Sequence, residues 1–373
     1  MTTEPTGIFL VCPPGLEQLL AGEASETGFA NVATAPGGVT ITGGWPEVWR
    51  ANLTLRGAVR VLAGLGAFRA FHLAQLDKRA RKFPWGDVLR ADVPVAVEVA
   101  TNRKSKIYHA GAAQQRIETA IAEELGAPIG PGGVTVRARI DDNLVELSVD
   151  TSGESLHKRG HKVAVGKAPM RETMAAMFLR ASGYRGAEPV LDPMCGSGSF
   201  VIEAAEIAAG LRPGRGRRFA FERLASFDAT AWTQMRADPT QPLPDLAFHG
   251  SDRDAGAFAA ARANANRAGV GDLVSFRKAA VSEIAPSPGP PGLVIANPPY
   301  GGRIGDRKSL YPLYAALGRA LGTRFGGWRV GIVTTEASLV GAMELPFGPP
   351  GPPVPHGGLR VRLWQTSPLP GQR

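Results

Sequence analysis

Residues 191–200 read LDPMCGSGSF and contain the pattern that decides the fold. An apolar, strand-like run ends at Asp192, glycines follow at positions 196 and 198, and helical apolar spacing begins near Ser199. Glycine lets the backbone approach a ligand closely, and the first turn of a helix offers unpaired N–H groups. The stretch therefore predicts a ligand-binding loop between a strand and a helix.

A dinucleotide-binding loop is the first alternative for this stretch, and two details argue against it. The third glycine of a G-x-G-x-x-G pattern falls on Val201, and no acid ends a strand about 20 residues later. The next acid at the end of a strand-like run is Asp252, in FHGSD. Asp-Pro-x-Cys-Gly-Ser-Gly after an apolar strand is also more specific than a lone G-x-G.

Strand-like and helix-like segments alternate from Met170 onward. The predicted strands read EPVLDPM, LAFHGSD, LVSFRKA, GLVIAN and WRVGIVTT, and helical spacing marks SFVIEAAEIAAG, DAGAFAAARANANRAG and SLYPLYAALGRALG. This alternation predicts an α/β domain at residues 170–373 with a mixed, mostly parallel sheet covered on both faces. We expect the late GGLRVRLWQ to add an antiparallel edge strand.

The first 150 residues predict two small α+β units. The first, residues 1–60, begins with the strand GIFLVC, a helix from Leu16 to Gly28 and the strand GGVTITGG, and PEVWRANLTLRGAVRVLAGLG follows as a predicted helix. The second, residues 61–150, combines a basic helix and the helix AAQQRIETAIAEELG with the strands VPVAVEVA, GVTVRARID and NLVELSVD. The polar residues 151–169 are interpreted as a linker.

Charge, apolar run length and cysteine content restrict the classes of protein to which this chain can belong. The formal net charge is +9, of which residues 1–165 carry +1 and residues 166–373 carry +8, so the C-terminal half suits a polyanionic partner or a basic solvated surface. No apolar run approaches the roughly 20 residues of a membrane span, and the N-terminus lacks a basic signal-peptide start. We therefore expect a cytoplasmic protein. The distant Cys12 and Cys195 suggest neither a disulfide framework nor a metal site.

A second motif, NPPY at residues 297–300, follows the apolar run Leu293–Ala296. DPMCGSGSF resembles motif I of class I S-adenosylmethionine-dependent methyltransferases, and NPPY resembles motif IV of their amino-methylating branch. With LHKRGHKVAVGKAPMRETMAAMFL, GSDRDAGAFAAARANANRAGV and the N-terminal FLVCPPGLEQLL, GGVTI and NLTLRGAVRVL, the chain resembles the THUMP-containing guanine-N2 RNA methyltransferases. The resemblance covers nearly the whole chain.

This resemblance implies both a fold and a function. It implies a ferredoxin-like region at residues 1–60, a THUMP RNA-binding domain at 61–150 and a Rossmann-like methyltransferase domain at 170–373. The implied reaction is methyl transfer from S-adenosylmethionine to N2 of a guanosine, with large-subunit ribosomal RNA as the first choice and tRNA as the alternative. DNA adenine-N6 methylation and an inactive RNA-binding assembly factor are less favoured alternatives.

The resemblance also implies the cofactor site. Asp252 is expected to bind the ribose hydroxyls, a role that suits a carboxylate at the end of a strand. Ala280 stands where these enzymes often carry an acid for the adenine, which leaves Ser282, Glu283 or backbone groups as alternatives. The residues expected around the methionine end of the cofactor are Asp192, Pro193, Cys195, Gly196, Ser197 and Gly198.

The expected catalytic residues are Asn297, Pro298, Pro299 and Tyr300. The Asn297 side-chain oxygen and the Pro298 carbonyl are acceptors that do not titrate near neutral pH, and two prolines fix the backbone that carries them. Tyr300 offers a ring on which a base can stack, and a packing role is its alternative. In isolation NPPY is also a common turn. Cys195 invites a nucleophilic interpretation, but a small cofactor-loop residue is favoured.

Four basic residues are expected to contact RNA: Arg303 and Arg307 after the NPPY corner, and Arg159 and Lys162 in HKRGHK. Further basic clusters are DKRARK, NRKSK and RPGRGRR. Such clusters are usually solvated surface, but their spread over both halves suits an RNA held by the N-terminal region.

Overall fold

The computed structural model describes residues 4–163, 170–237, 245–300 and 307–371, and of Arg307 and Lys308 it describes the backbone alone. Its residues divide into two compact units. The first unit comprises the residues up to Cys12, Leu20–Leu156 and Gly214–Ala237. The second comprises Pro13–Leu19, His157–Pro213 and the residues from 238 onward. The region predicted as one C-terminal domain is therefore interrupted by residues 214–237.

The N-terminal 150 residues build one seven-stranded sheet rather than two separate small sheets. The elements are β1 (Ile8–Val11), α1 (Glu17–Glu26), β2 (Ala30–Ala35), β3 (Gly38–Thr42), α2 (Trp45–Thr54), β4 (Arg60–Arg69), α3 (Leu73–Arg81), β5 (Val95–Thr101), α4 (Ala110–Leu125), β6 (Val134–Asp141) and β7 (Leu144–Asp150). The strand order is β2-β3-β1-β4-β7-β6-β5. Only the β5–β6 pair is parallel, and the β4–β7 pair joins the two predicted regions.

One predicted element of this region is wrong. The segment PEVWRANLTLRGAVRVLAGLG was expected to form one helix, but α2 ends at Thr54 and Arg60–Arg69 forms β4. Leu55 after the helix is already extended, with φ −80° and ψ 123°. In β4, Val61, Ala63 and Leu65 are buried in alternation, which is the two-residue period of a strand. Small apolar residues at this spacing also fit a helix, so the pattern alone did not separate the two.

The second unit is an α/β domain with a seven-stranded mixed sheet. In chain order the elements after β7 are α5 (Glu172–Ala181), β8 (Val190–Asp192), α6 (Ser199–Ala208), α7 (Ala229–Arg236, in the first unit), β9 (Phe248–Asp252), α8 (Ala255–Ala268), β10 (Val274–Lys278), β11 (Leu293–Ala296), α9 (Arg307–Arg324), β12 (Arg329–Thr334), α10 (Ala337–Gly341), β13 (Val354–His356) and β14 (Leu359–Gln365). The five predicted strands are all present and parallel, which confirms the predicted Rossmann-like fold. The segment GGLRVRLWQ contains β14, antiparallel to β12 as predicted, but β13 is the edge strand.

The strand order β10-β9-β8-β11-β12-β14-β13 places the sheet's switch point between β8 and β11. Successive strands run outward from β8 in one direction and from β11 in the other. In open α/β sheets ligands bind at the carboxyl ends of the strands at such a point. The carboxyl ends of β8, β9 and β11 carry Asp192, Asp252 and Asn297, respectively.

The apolar core below this edge fixes the strands. The residues fully buried in it include Ile332 of β12, Leu317 and Leu321 of α9, and Phe325 directly after α9. Each buried side chain of this size contributes about 1.5–3 kcal/mol relative to an exposed one. None of the helices in the described ranges combines the length and hydropathy needed to cross a membrane.

Residues 214–237 complete the first unit. Gly214 donates its N–H to the Leu53 carbonyl at 3.0 Å. The Phe221 ring lies 6.0 Å from Trp49 and 4.9 Å from Trp232, measured between ring centroids. The Arg217 guanidinium donates to backbone carbonyls of residues 152–155. This segment therefore supplies part of the aromatic core of the first unit.

Candidate active site

The loop between β8 and α6 depends on glycine at position 198. Gly198 has φ +85°, a left-handed conformation that glycine adopts without strain. A Cβ there would lie 3.1–3.3 Å from the side chains of Ile202, Ala261 and Phe276. Position 198 therefore combines a special backbone conformation with close packing. At Gly196, which has φ +52°, a Cβ would meet no described atom within 4 Å.

Asp252 fastens this loop from the neighbouring strand. Its Oδ2 accepts a hydrogen bond from the Gly196 N–H at 3.0 Å, and its Oδ1 accepts one from the Asp254 N–H at 2.9 Å. The Cys195 N–H donates to the Ser251 carbonyl at 2.9 Å. A carboxylate has about four lone-pair sites, so Asp252 retains capacity for further donors such as two hydroxyls.

Asp192 is buried directly beneath the loop. It is 2% exposed, and its Oδ1 accepts a hydrogen bond from the Met194 N–H at 3.0 Å. Burial raises the pKa of Asp192 to about 8, and the nearby charge of Asp252 adds to this effect while the Met194 hydrogen bond opposes it. At neutral pH the Asp192 carboxyl is therefore largely protonated, and its O–H is a donor.

The raised pKa of Asp192 makes stability depend on pH. Between pH 4 and 8 the folded state retains a proton that the unfolded state has lost, so the contribution to the unfolding free energy falls as pH rises. As pH rises from 5 to 8, we expect the unfolding free energy of the wild type to fall by a few kcal/mol relative to that of Asp192→Asn, which cannot titrate. The expected change is about 1.4 kcal/mol per pKa unit. Urea unfolding at several pH values measures this difference. A difference that does not change with pH would contradict the raised pKa.

Cys195, Ser197 and Pro193 complete the loop. Burial raises the pKa of the Cys195 thiol well above its usual value, and the charges of Asp192 and Asp252 add to the effect. A thiol that keeps its proton is a poor nucleophile, which agrees with the interpretation of Cys195 as a cofactor-loop residue. The Ser197 carbonyl accepts a hydrogen bond from the Asn264 side chain at 3.1 Å.

The NPPY corner follows β11 at the same edge of the sheet. The Asn297 Oδ1 atom is buried and has no hydrogen-bond partner among the described residues. Leaving a buried acceptor unsatisfied costs about 1–3 kcal/mol, so such an atom is expected where a ligand donates to it. Pro298 is buried, whereas Pro299 and Tyr300 are partly exposed. The corner thus presents a prepared acceptor beside an accessible ring.

Tyr314 of α9 holds this corner from below and was not identified from the sequence. It is fully buried, and its hydroxyl donates to the Pro299 carbonyl at 3.2 Å. The same hydroxyl lies 3.3 Å from Thr334 Oγ1 at the end of β12. Burial raises the pKa of Tyr314 to about 12, so the donor keeps its proton at physiological pH. A tyrosine within the apolar spacing of SLYPLYAALGRALG was the available signal.

Tyr314→Phe is expected to lower kcat about tenfold with little change in the affinity for the cofactor, because it frees the Pro299 carbonyl and loosens the catalytic corner. Steady-state kinetics together with calorimetric cofactor titration measure the two effects separately. Tyr311→Phe on the same helix, with a side chain that is 38% exposed, is the matched control and should behave as wild type. Equal losses in both variants would show that Tyr314 has no special role.

The structure corrects the predicted RNA contacts of Arg159 and Lys162. The Arg159 side chain is 3% exposed and its guanidinium lies 3.4 Å from the buried Glu203 carboxylate of α6. Lys162 Nζ lies 2.7 Å from Ser199 Oγ and 3.3 Å from Glu172, and its side chain is 10% exposed. Both cations therefore pair with buried acids, and little of either side chain is left at the surface for an RNA phosphate.

The two basic positions predicted after the NPPY corner are not tested by the structure. Arg303 lies outside the described residues, and Arg307 begins α9 with a side chain that is not described, so their RNA contacts stay predictions. Glu283, one of the candidate partners for the adenine, already accepts a hydrogen bond from the Ala280 N–H at 3.1 Å. Within the described ranges, no cluster of three or more His, Cys, Asp or Glu side chains offers a metal site.

Comparison with known proteins supports the class that this geometry indicates, an S-adenosylmethionine-dependent methyltransferase. The model of the RMKL-like methyltransferase domain, UPF0020, matches residues 159–346. The chain belongs to this RMKL-like methyltransferase family. The model of the RlmL ferredoxin-like domain matches residues 7–62, which confirms the ferredoxin-like region.

Solved structures agree with this assignment. SMU.472, a methyltransferase candidate complexed with SAH, is 26% identical, with 100% of this chain and 99% of that chain covered and a TM-score of 0.88. A protein of Listeria monocytogenes, described as a predicted N6-adenine-specific DNA methylase, is 30% identical, with 98% and 97% covered and a TM-score of 0.86. TrmN from Thermus thermophilus shares the fold at 21% identity, with 97% and 99% covered and a TM-score of 0.74.

The cofactor is S-adenosylmethionine, and the residues at the switch point fit it. The open side of Gly196 allows a ligand to approach the backbone closely, and Asp252 retains acceptor sites for hydroxyl donors. Asn297 at the end of β11 adds a buried acceptor at the same edge of the sheet. When bound, the cofactor supplies an electrophilic methyl group on its sulfonium sulfur.

Proposed function

We propose that the protein methylates N2 of a guanosine in RNA, with large-subunit ribosomal RNA as the first choice of substrate, and that it acts in the cytoplasm. The products are N2-methylguanosine and S-adenosylhomocysteine. The observation that carries the proposal is the buried Asn297 Oδ1, an acceptor without a described partner in a rigid Pro-Pro corner. Such an acceptor suits an aromatic amine, which brings two N–H donors.

The residues of the corner act by positioning the amine. The lone pair of an exocyclic guanine nitrogen is delocalised into the ring, so the amine is a weak nucleophile. Asn297 Oδ1 and the Pro298 carbonyl accept its two hydrogens and stabilise the positive charge that develops on nitrogen during transfer. Neither oxygen titrates near neutral pH, so the proton leaves to water. Tyr300 stacks on the base, and Tyr314 fixes the Pro299 carbonyl.

RNA is favoured as the substrate by the N-terminal region. Residues 7–62 match the RlmL ferredoxin-like domain, and residues 61–150, interpreted as a THUMP domain, continue the same sheet. DNA adenine-N6 methylation is the second candidate, because the 30% identical protein of Listeria monocytogenes is described as a predicted N6-adenine-specific DNA methylase. The chemistry of the corner suits either aromatic amine.

Labelled methyl transfer to ribosomal RNA, tRNA and duplex DNA in parallel separates these candidates. We expect label in ribosomal RNA, recovered after digestion as N2-methylguanosine, and none with Asn297→Ala. Label in tRNA alone would keep the reaction and change the substrate. Label in DNA as N6-methyladenine, or in no nucleic acid, would overturn the proposal.

A further inference from the structure

A single amide is buried in helix α8, beside the loop that joins β8 to α6. We call this loop, residues 193–198, the cofactor loop. Asn264 is 0% exposed, and the other buried residues of α8 are Ala261, Ala265 and Ala268. Burying an amide is unfavourable unless it is hydrogen-bonded, so an alanine would suit the position if packing alone mattered. Asn264 Nδ2 donates to the Ser197 carbonyl at 3.1 Å, which indicates that the amide serves the loop.

The bond from Asn264 fixes one peptide unit of the cofactor loop. The Ser197 carbonyl accepts it, and the N–H of the same peptide unit, on Gly198, donates to the Cys195 carbonyl at 2.8 Å. Both polar atoms of this unit are thus held. Gly198, with φ +85° and no Cβ, would otherwise leave the unit freer to rotate than a residue with a side chain would. The conformation of the loop therefore depends on the Asn264 amide.

Arg267, one turn further along α8, orients the Asn264 amide. Its Nη2 donates to Asn264 Oδ1, and its Nε donates to the His161 carbonyl at 2.8 Å. A guanidinium can only donate, so the amide atom beside it is the oxygen, and the amide nitrogen is directed at Ser197. The hydrogen bond to the loop thus has a defined donor and a defined acceptor, and Arg267 holds the donor in place.

The segment that accepts from this guanidinium also contacts the other end of the loop. Lys162, the residue after His161, donates from Nζ to Ser199 Oγ at 2.7 Å, at the start of α6. The segment is therefore bonded to the chain on both sides of Gly198, directly at Ser199 and through α8 at Ser197. A connected set of hydrogen bonds thus encloses the glycine on which the loop depends.

We propose that Asn264 is a positioning residue for S-adenosylmethionine, which acts through the Ser197 carbonyl to keep the cofactor loop in the conformation that binds the cofactor. When the binding-competent state of a protein is only partly populated, the apparent affinity is reduced by that fraction. Without the amide bond the loop populates other conformations, so affinity falls. Once the cofactor is bound, the loop has the required conformation and turnover is retained. The inference concerns the cofactor and holds whichever nucleic acid accepts the methyl group.

Asn264→Asp isolates the bond to the loop. The aspartate keeps the acceptor for Arg267 but replaces the N–H donor by an oxygen that faces the Ser197 carbonyl. We expect calorimetric titration with S-adenosylhomocysteine to show an affinity lowered about 10- to 100-fold, while turnover at saturating cofactor stays within about threefold. Asn264→Ala removes both bonds, so it should lower the unfolding temperature more than Asn264→Asp does and weaken the cofactor no more. An affinity loss that merely followed stability would show the opposite order and would contradict the positioning role.

Arg267→Ala tests the same link from an exposed position, where the fold should be retained. It should lower the affinity for S-adenosylhomocysteine about 3- to 10-fold. Arg262→Ala, at an exposed arginine of the same helix, is the matched control and should bind as wild type.

Affinity within about twofold of wild type in both Asn264→Asp and Arg267→Ala would overturn the inference, and so would an equal loss in Arg262→Ala. If Asn264→Asp does not fold, Arg267→Ala and its control decide. Binding of S-adenosylhomocysteine requires no methyl acceptor, so an incorrect choice of RNA as the substrate would leave these affinities unchanged.

Discussion

Asn297→Ala is expected to lower kcat by about 10²- to 10³-fold, the loss typical of removing one preorganised acceptor or donor that acts on the transition state. The affinity for S-adenosylmethionine should stay within about twofold, since the role proposed for Asn297 is on the amine of the substrate. Single-turnover kinetics and calorimetric cofactor titration measure the two quantities. Because the wild-type oxygen is buried without a described partner, its removal leaves no described hydrogen-bond donor unpaired.

Asn266→Ala on α8 provides the matched control for this prediction. Asn266 is an exposed amide in the same unit. Its substitution should leave kcat and cofactor affinity unchanged, because it removes an amide without altering the NPPY corner. The assigned role of Asn297 is wrong if cofactor affinity collapses while the rate at saturation is normal.

Asp252→Ala is expected to weaken S-adenosylmethionine binding by at least about 100-fold. The substitution removes the acceptor for the Gly196 N–H and the acceptor sites proposed for the ribose hydroxyls, and hydrogen bonds to a charged group are worth about 1.5–3 kcal/mol each. Equilibrium titration with S-adenosylhomocysteine measures the loss in the absence of turnover. Saturating cofactor should then restore part of the rate, which distinguishes this variant from Asn297→Ala.

Asp254→Ala separates the cofactor role of Asp252 from a loss of local structure. Asp254 lies two residues further on and caps α8 by accepting from the N–H groups of Gly256 and Ala257. Its removal should cost about 1 kcal/mol of stability and leave cofactor affinity intact. Similar losses of cofactor affinity in both variants would mean that Asp252 only shapes the backbone.

Much of the catalytic unit was predictable because its polar residues stand at the ends of apolar strands. Asp192, Asp252 and Asn297 each follow such a run, and parallel strands bring their carboxyl ends to one edge. The sequence alone therefore indicates which polar groups lie together at this edge of the sheet. It did not indicate Tyr314, because a buried hydroxyl that braces a backbone carbonyl looks like any aromatic residue of an amphipathic helix.

The errors have physical causes. Arg159 and Lys162 lie in a polar, glycine-containing stretch that looks like a solvated linker, yet they pair with Glu203 and Glu172 inside the fold. The missed signal was the acids in the apolar helices SFVIEAAEIAAG and ETMAAMFLRA, because a buried carboxylate requires a cation. No local sequence pattern in residues 214–237 indicates that they pack in the first unit, since Phe219 and Trp232 would suit the apolar core of either unit.

Because residues 214–237 belong to the first unit, this unit cannot be completed early in synthesis. During synthesis the first unit remains without Phe219, Phe221 and Trp232 until the chain has passed residue 237, after the cofactor loop has already emerged. A chain stopped at Leu156 would leave Trp49 without its Phe221 neighbour and expose apolar surface to water. Neither unit corresponds to one uninterrupted segment of the chain, so a truncation that removes one unit also removes part of the other.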